Sequence, residues 1–342
     1  MKIKMKKIKL IFTQILLFSL ITVSNSFGKA LPPGSGVADV PANVLILLDK
    51  SGSMGASSYS GARVSTTYQI TTISNTGNVI VTDGSTLRGV DHNNNALTNF
   101  YSSRNNYRSR NRNGCSTYYK SQYGLLYHSN KVYFLGAYYS RDHDLYELNT
   151  STGACKKIES FGRTAPYGRM LVSNNILIFP NYQNKLFLLD TNTGQKKHCG
   201  VSGDLYNSIA NGKYNNRIPA TIDSSGNLVI KSYEGRKVIF RKFTLSGSTA
   251  CPSNTANAKY TFSDNYDLRY SEVIEAHPSN ANIFYLLNRS GNRILKYTFN
   301  STTSYTKNAS VGRRGRLSST YAPTSASQVR FNYPADFRID TA

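Results

Sequence analysis

The sequence predicts an all-β protein, a six-bladed β-propeller whose last blade is incomplete, and three observations lead there. The chain holds 25 Tyr and 15 Phe but no Trp, with abundant Ser, Thr and Asn; such residues favour strands and polar turns over helices. Five segments share one course of strand, polar turn, apolar strand, polar turn and strand. Their spacing suits slightly expanded four-stranded blades better than sandwich strands.

Residues 1–28 stand apart. "MKIKMKKIKLIFTQILLFSLITVSNSFG" sets Lys2, Lys4, Lys6, Lys7 and Lys9 before an apolar segment from Leu10 to Val23, then yields to small and polar residues. That order is a secretory signal peptide, and its apolar part is short for a membrane span. Residues 29–63 read as a Pro- and Gly-bearing leader, "KALPPGSGVADVP", then a buried-type strand, "NVLILL", and a polar loop. Residues 64–342 carry the repeats.

The units are "YQITTISNTGNVIVTDGSTLRGVD" at 68–91 and longer versions at 123–158, 167–198, 219–247 and 271–299. Asn78, Asn130, Asn175, Asn227 and Asn282 stand near the start of each second strand, a spacing of about 50 residues that is blade-like in length. One small sheet buries little surface alone, whereas blades packed face to face share an apolar core. Val79, Val132, Ile176, Leu228 and Ile283 are the expected core positions of that layer. The closing stretch, "SQVRFNYPADFRIDTA", reads as the opening of a further unit, so the sequence is expected to be a piece of a longer chain. A pair of β-sandwiches is the competing arrangement.

After "NVLILL" comes "DKSGSMG", which sets Asp49, Ser51 and Ser53 at alternate positions around Gly52. A carboxylate and two hydroxyls are hard oxygen donors suited to Mg²⁺ or Ca²⁺, with water, another loop or a partner's acid completing the shell. A plain polar turn, its side chains satisfying backbone donors, is the alternative. This DxSGS run after an apolar strand resembles the metal-ion-dependent adhesion site of von Willebrand factor type A domains. The resemblance implies a partial type A domain strand ahead of the propeller, Asp49, Ser51 and Ser53 as direct or water-mediated ligands of Mg or Ca, and a propeller inserted in that domain. The helices and the later Thr and Asp of that family do not follow; Asp83, in "VTDGS", belongs to a repeat.

The repeats "GNVIVTDGSTLRGVD", "SGNLVIKS" and "NIFYLLNRSGNRILKY" resemble NHL-like β-propellers. The combination is similar to bacterial surface or type IV pilus-associated adhesins, which implies a cell-surface role and a pilus or other surface assembly as partner.

Net charge is +23, and +18 once the five leader lysines are set aside, residues 1–28 holding no Asp or Glu. A basic surface attracts acidic polymers, but an exported chain without a zinc-finger or helix-turn-helix pattern argues against nucleic acid as a specific partner. Cys115, Cys155, Cys199 and Cys251 form an even set in an exported chain, the arithmetic of disulfides, with three pairings open. His143 lies in the acidic stretch "RDHDLYE", which lacks the glycine turn and final carboxylate of a calcium loop. No Ser sits in a GxSxG elbow, and no His is placed as its base.

Binding fits better. "YYSRDHD", "YQNK", "YEGRK" and "NRSGNR" occupy corresponding turns, so Tyr139, Tyr182, Tyr233, Arg289 and Arg293 are the candidate ligand-binding residues of one propeller face. Aromatic rings and polar groups receive a glycan or peptide, and arginines pair with carboxylates or sulfates. The expectation is an exported protein, periplasmic, cell-surface or extracellular, that binds a glycan, peptide or protein ligand in adhesion. The alternative is a periplasmic or secreted carbohydrate-active enzyme on the same scaffold.

Overall fold

Residues 176–180 read ILIFP and are buried at all five positions. A strand apolar on both sides has a packed neighbour on each, and here alternate residues serve different neighbours. Ile176 and Ile178 join a cluster with Ala220, Leu228, Ile230 and Phe243 downstream. Leu177 and Phe179 join another with Leu126, Tyr133, Leu135 and Leu145 upstream. The computed structural model describes residues 44–45, 69–73, 78–82, 87–90, 124–138, 142–162, 169–180, 185–212, 217–314, 330–331 and 336–339.

Four complete blades follow one another, each an antiparallel sheet with strands in chain order. The first holds β5 (Leu125–His128), β6 (Lys131–Tyr138), β7 (Asp142–Asn149) and β8 (Cys155–Ser160); the second holds β9 (Leu171–Ser173), β10 (Ile176–Pro180), β11 (Lys185–Asp190) and β12 (Lys196–Gly200). The third holds β13 (Ala220–Ile222), β14 (Leu228–Glu234), β15 (Lys237–Phe243) and β16 (Ala258–Ser263). The fourth holds β17 (Ser271–His277), β18 (Asn280–Asn288), β19 (Arg293–Phe299) and β20 (Tyr305–Val311). Ahead of them β2 (Gln69–Ile73), β3 (Asn78–Thr82) and β4 (Leu87–Val90) form a three-stranded sheet. Two pairs of two-residue strands complete the set: β1 (Val44–Leu45) with β23 (Arg338–Ile339), and β21 (Arg313–Arg314) with β22 (Arg330–Phe331).

The apolar clusters run from sheet to sheet in sequence. Ile80 and Leu87 pack with Val132 and Phe134, Val229 and Phe240 with Ile274, Phe284 and Leu286, and Val273, Tyr285 and Leu287 with Phe337. Neighbouring innermost strands touch, β2 with β5, β9 with β13 and β13 with β17, and β23 touches both β17 and β2. The arrangement is an all-β propeller. Of the expected core positions, Val79, Val132, Ile176 and Leu228 are buried, while Ile283 is half-buried against the last cluster.

Alternation of direction puts the first–second and third–fourth turns of every blade on one side, here called the turn face. The second–third turns and the links between blades lie on the other, the connection face. The turn face is built from repeated local chemistry. Ser129 and Asn130 both take positive φ, 50° and 59°, as a tight hairpin turn requires. In "LNTSTG" the Asn149 side chain accepts from the amides of Ser151 (2.9 Å) and Thr152 (3.1 Å); in "LDTNTG" Asp190 does the same with Asn192 (2.8 Å) and Thr193 (3.1 Å). Thr150 and Thr191 then donate to the Asn130 and Asn175 carbonyls of the adjoining turn, both at 2.9 Å.

Two expectations are corrected. Among the described residues the blade count is four, not six: four sheets have the full set of four strands. The strand assigned to a type A domain is instead a two-residue partner of β23, antiparallel, with Val44 opposite Ile339 and Leu45 opposite Arg338. A type A domain would set its first strand in a doubly wound parallel sheet. Nothing in the described sheets ties them to NHL units in particular.

Candidate binding face and axial cavity

Two of the described links between blades carry a helix. α1 (Gly203–Asn211) follows β12, with Asp204 in its first turn, where a helix favours an acid, and with Leu205 and Ile209, four residues apart, buried against β14 and β15. α2 (Tyr266–Arg269) follows β16; Asn265 caps it, accepting from the Leu268 amide at 2.8 Å. Tyr206 on α1 and Tyr266 on α2 are the large hydrophobic residues left exposed among those described, at 44% and 56%. Tyr270 lies 4.7 Å from the Tyr266 ring, centroid to centroid. α1 is fastened from outside. The Cys199–Cys251 disulfide joins β12 to the β15–β16 loop, whose Asn254 accepts from the amides of Ser202 (3.0 Å) and Leu205 (3.1 Å).

Along the axis, charged residues of the innermost strands meet. Arg169, just before β9, donates to Glu275 on β17 (2.6 Å), to Asp336 before β23 (3.1 Å), and to the Ile274 (3.3 Å) and Phe337 carbonyls. Arg338 donates to Glu275 (3.1 Å) and to the carbonyls of Ile70 (3.2 Å), Leu125 (3.4 Å) and Met170 (3.5 Å). Asp336 also accepts from the Ile70 amide at 3.2 Å. Two cations and two anions balance, and five carbonyls accept further guanidinium hydrogens. Burial and the adjacent Arg169 push Arg338 down to about 10, against the pull of Glu275 and Asp336.

Where this network ends, a small cavity opens among Gln69, Arg169, Arg217, Ile218, Pro219, Ala220, Glu272, Val273, Ile274 and Asp336. These residues stand at or near the starts of β2, β9, β13, β17 and β23, on the side of the connection face. The cavity measures about 20 Å³, room for about one water-sized group. Gln69 and Arg169 are each 7% exposed, yet Gln69 Oε1 and Arg169 Nε have no hydrogen-bond partner among the described residues. Beside it Lys231 is buried, donating to the Ser271 (2.7 Å) and Arg269 (3.3 Å) carbonyls. Burial pushes its ammonium down to about 7, with Glu272 acting the other way.

The predicted ligand residues fall around this face but are engaged within the chain. Tyr233, at the end of β14, bonds Asp264 and accepts from Arg269 Nε at 2.6 Å; burial, then Asp264, pushes it up to about 12. Arg289 lies 3.7 Å from Glu272. Arg293 is 2.5 Å from Asp267, which Lys307 also reaches at 2.8 Å. Burial pushes Asp267 up, but hydrogen bonds from Lys307 and Arg293 together hold it below the usual carboxylate range. Tyr139 and Tyr182 lie outside the described residues. Sequence reasoning missed Gln69, Arg169, Glu275, Asp336 and Arg338, and it missed Tyr206 and Tyr266. The legible signal was a charged or amide residue at or just before the starts of β2, β9, β17 and β23, namely Gln69, Arg169, Glu272 and Asp336.

The expected Mg or Ca is corrected as well. Among the described residues no three or more His, Cys, Asp or Glu gather into a group able to hold a metal ion, and Asp49, Ser51 and Ser53 lie outside them. The acidic stretch around His143 is strand β7. Its Asp144 pairs with Lys157 (3.3 Å), and Glu147 pairs with Lys131 (3.4 Å) and Lys156 (3.2 Å). Cys155 is disulfide-bonded too, and Cys115 lies outside the described residues. Among those residues no helix is long and apolar enough to cross a membrane.

No family model matches the chain, and no curated protein matches it. Solved structures similar in course include a protein from Lactobacillus plantarum, with TM-score 0.43, 11% identity, and coverage of 75% of this chain and 68% of that one. A protein from Desulfotomaculum acetoxidans gives 0.43, 12%, 76% and 74%. A third, from Bacteroides fragilis and provisionally named a 6-phosphogluconolactonase, gives 0.41, 9%, 72% and 66%.

Proposed function

We propose that the chain is an exported binding protein that presents its connection face to a glycan, peptide or protein ligand at the cell surface. The observation that carries this reading is that two links between blades leave a large aromatic side chain exposed, Tyr206 on α1 and Tyr266 on α2. Solvated aromatic rings are costly to leave bare and are the usual anchors of recognition. Export is supported by the lysine-led apolar leader and by the Cys199–Cys251 disulfide, a bond that persists in oxidising compartments. Adhesion, with a surface assembly as partner, is the role this reading favours, and positive charge draws acidic polymers to the same protein.

The test is an array of neutral, sulfated and acidic glycans and of peptides, read with the intact protein and with a Tyr206→Ser, Tyr266→Ser variant. Specific binding lost in the variant supports the reading; binding that survives it places the ligand elsewhere. The carbohydrate-active enzyme is the second reading, favoured by Glu272 and Asp336 lining one cavity, since paired carboxylates do acid–base work on glycosides. Product release measured on the glycans that bind decides between the two.

A further inference from the structure

We infer that the axial cavity is the seat of one hydroxyl group of a carbohydrate ligand, held between Gln69 and Arg169. This rests on the binding function proposed above and names the ligand class of that face.

The argument is one of complementarity. The cavity has room for about one oxygen-sized group. Two atoms of its lining residues make opposite demands, because Arg169 Nε–H needs an acceptor and Gln69 Oε1 needs a donor. An alcohol oxygen meets both, accepting from the guanidinium and donating to the amide. A carboxylate or sulfate cannot donate to Gln69, and an ammonium cannot accept from Arg169 and would sit against a fixed cation. A methyl group would leave both polar atoms unpaired. Arg169 is held in place by Glu275 and Asp336, at 2.6 and 3.1 Å, so its Nε–H is pre-aimed and no reorganisation is needed on binding. Tyr206 and Tyr266, exposed on the links between blades, are aromatic rings of the kind a sugar ring lies against. A ligand hydroxyl makes both of the bonds that a bridging water would make there, so exchanging one for the other loses no hydrogen bond.

The experiment titrates methyl glycosides of glucose, galactose and mannose, and each of their monodeoxy analogues, by calorimetry against the intact protein and Gln69→Met. The expected result is that one deoxy position weakens binding to the intact protein by about tenfold or more, and that Gln69→Met removes that difference while its melting curve keeps a single transition. If every deoxy analogue binds the intact protein as well as its parent, the inference is overturned whatever the variant does. A variant that folds and still discriminates overturns it too. Should no glycoside bind while peptides do, and that binding be lost in the Tyr206→Ser, Tyr266→Ser protein, the hydroxyl seat falls and the binding face stands.

Discussion

The two faces of this propeller use polar residues in opposite ways. On the turn face, Asn149, Asp190, Thr150 and Thr191 spend their side chains on the backbone a few residues away or on the next turn, in the same pattern in the first and second blades. On the connection face the described links differ: one holds a nine-residue helix, another a four-residue helix, and both leave a tyrosine in solvent. Locally satisfied turns make one face self-sufficient scaffold, whereas irregular links free the other for recognition.

Substitutions that strike each side sharpen this contrast, and the largest effect belongs to neither face but to the axis beneath. Arg169→Met leaves Glu275 and Asp336 buried with a missing partner and is expected to cost about 3–5 kcal/mol, read by urea denaturation; a cost within about 0.5 kcal/mol, the ordinary surface range, would mean the axial pairs are idle. Removing the fastening of α1 with Cys199→Ser, Cys251→Ser should cost about 2–4 kcal/mol and should loosen Tyr206, visible as faster amide exchange across residues 203–211. Equal exchange in both proteins would detach the disulfide from the binding face.

Lys231 gives a pH signature. Its ammonium is pushed down to about 7 in the folded chain from an ordinary 10.5. Below 7 both states hold the proton and the full burial penalty applies; between 7 and 10.5 the unfolded chain holds a proton the folded chain lacks. Raising pH therefore favours folding, by up to about 1.4 kcal/mol per unit. Lys231→Met should flatten that slope between about pH 7 and 9.5, and identical slopes would show the lysine is not perturbed. On the turn face, Asn149→Ala should cost about 1 kcal/mol and leave ligand affinity untouched. Smallest in stability is Tyr206→Ser, Tyr266→Ser, within about 0.5 kcal/mol, although it should abolish binding. A ligand lost with Asn149→Ala and kept with the tyrosine pair would reverse the roles of the faces.

The blades were legible because their second strands are apolar and bounded by polar turns. Asn78 opens β3, Asn130 and Asn175 stand in the turns before β6 and β10, and Asn227 directly precedes β14. The blade count was not, because "NVLILL" has the composition of a buried strand of its own domain, while its described residues, Val44 and Leu45, pair with β23. Composition reports what a segment can do; partners as distant in the chain as Leu45 and Arg338 are set by tertiary packing. The axial residues escaped for a similar reason. A lone charge such as Arg169 in "YGRMLV" looks like a solvated strand end, and only closure of the ring turns it inward. The tyrosines of the second–third turns were chosen for their regular spacing, yet the exposed ones, Tyr206 and Tyr266, lie on the links, where no period guides the eye. The disulfide was open among three pairings until the β15–β16 loop was seen to fold back on β12.

Arg338 has one more implication, for how the molecule comes apart. Repeat arrays tend to peel unit by unit, since each unit touches only its neighbours. A single guanidinium that answers carbonyls from β2, from β5 and from just before β9, together with an acid on β17, makes those sheets answerable to one another at once. Its contact with Ile70 spans 268 residues, a loop that must close before any reward arrives, so assembly of the hub belongs late in folding. Once that hub is made, fraying at an outer strand does not spread inward.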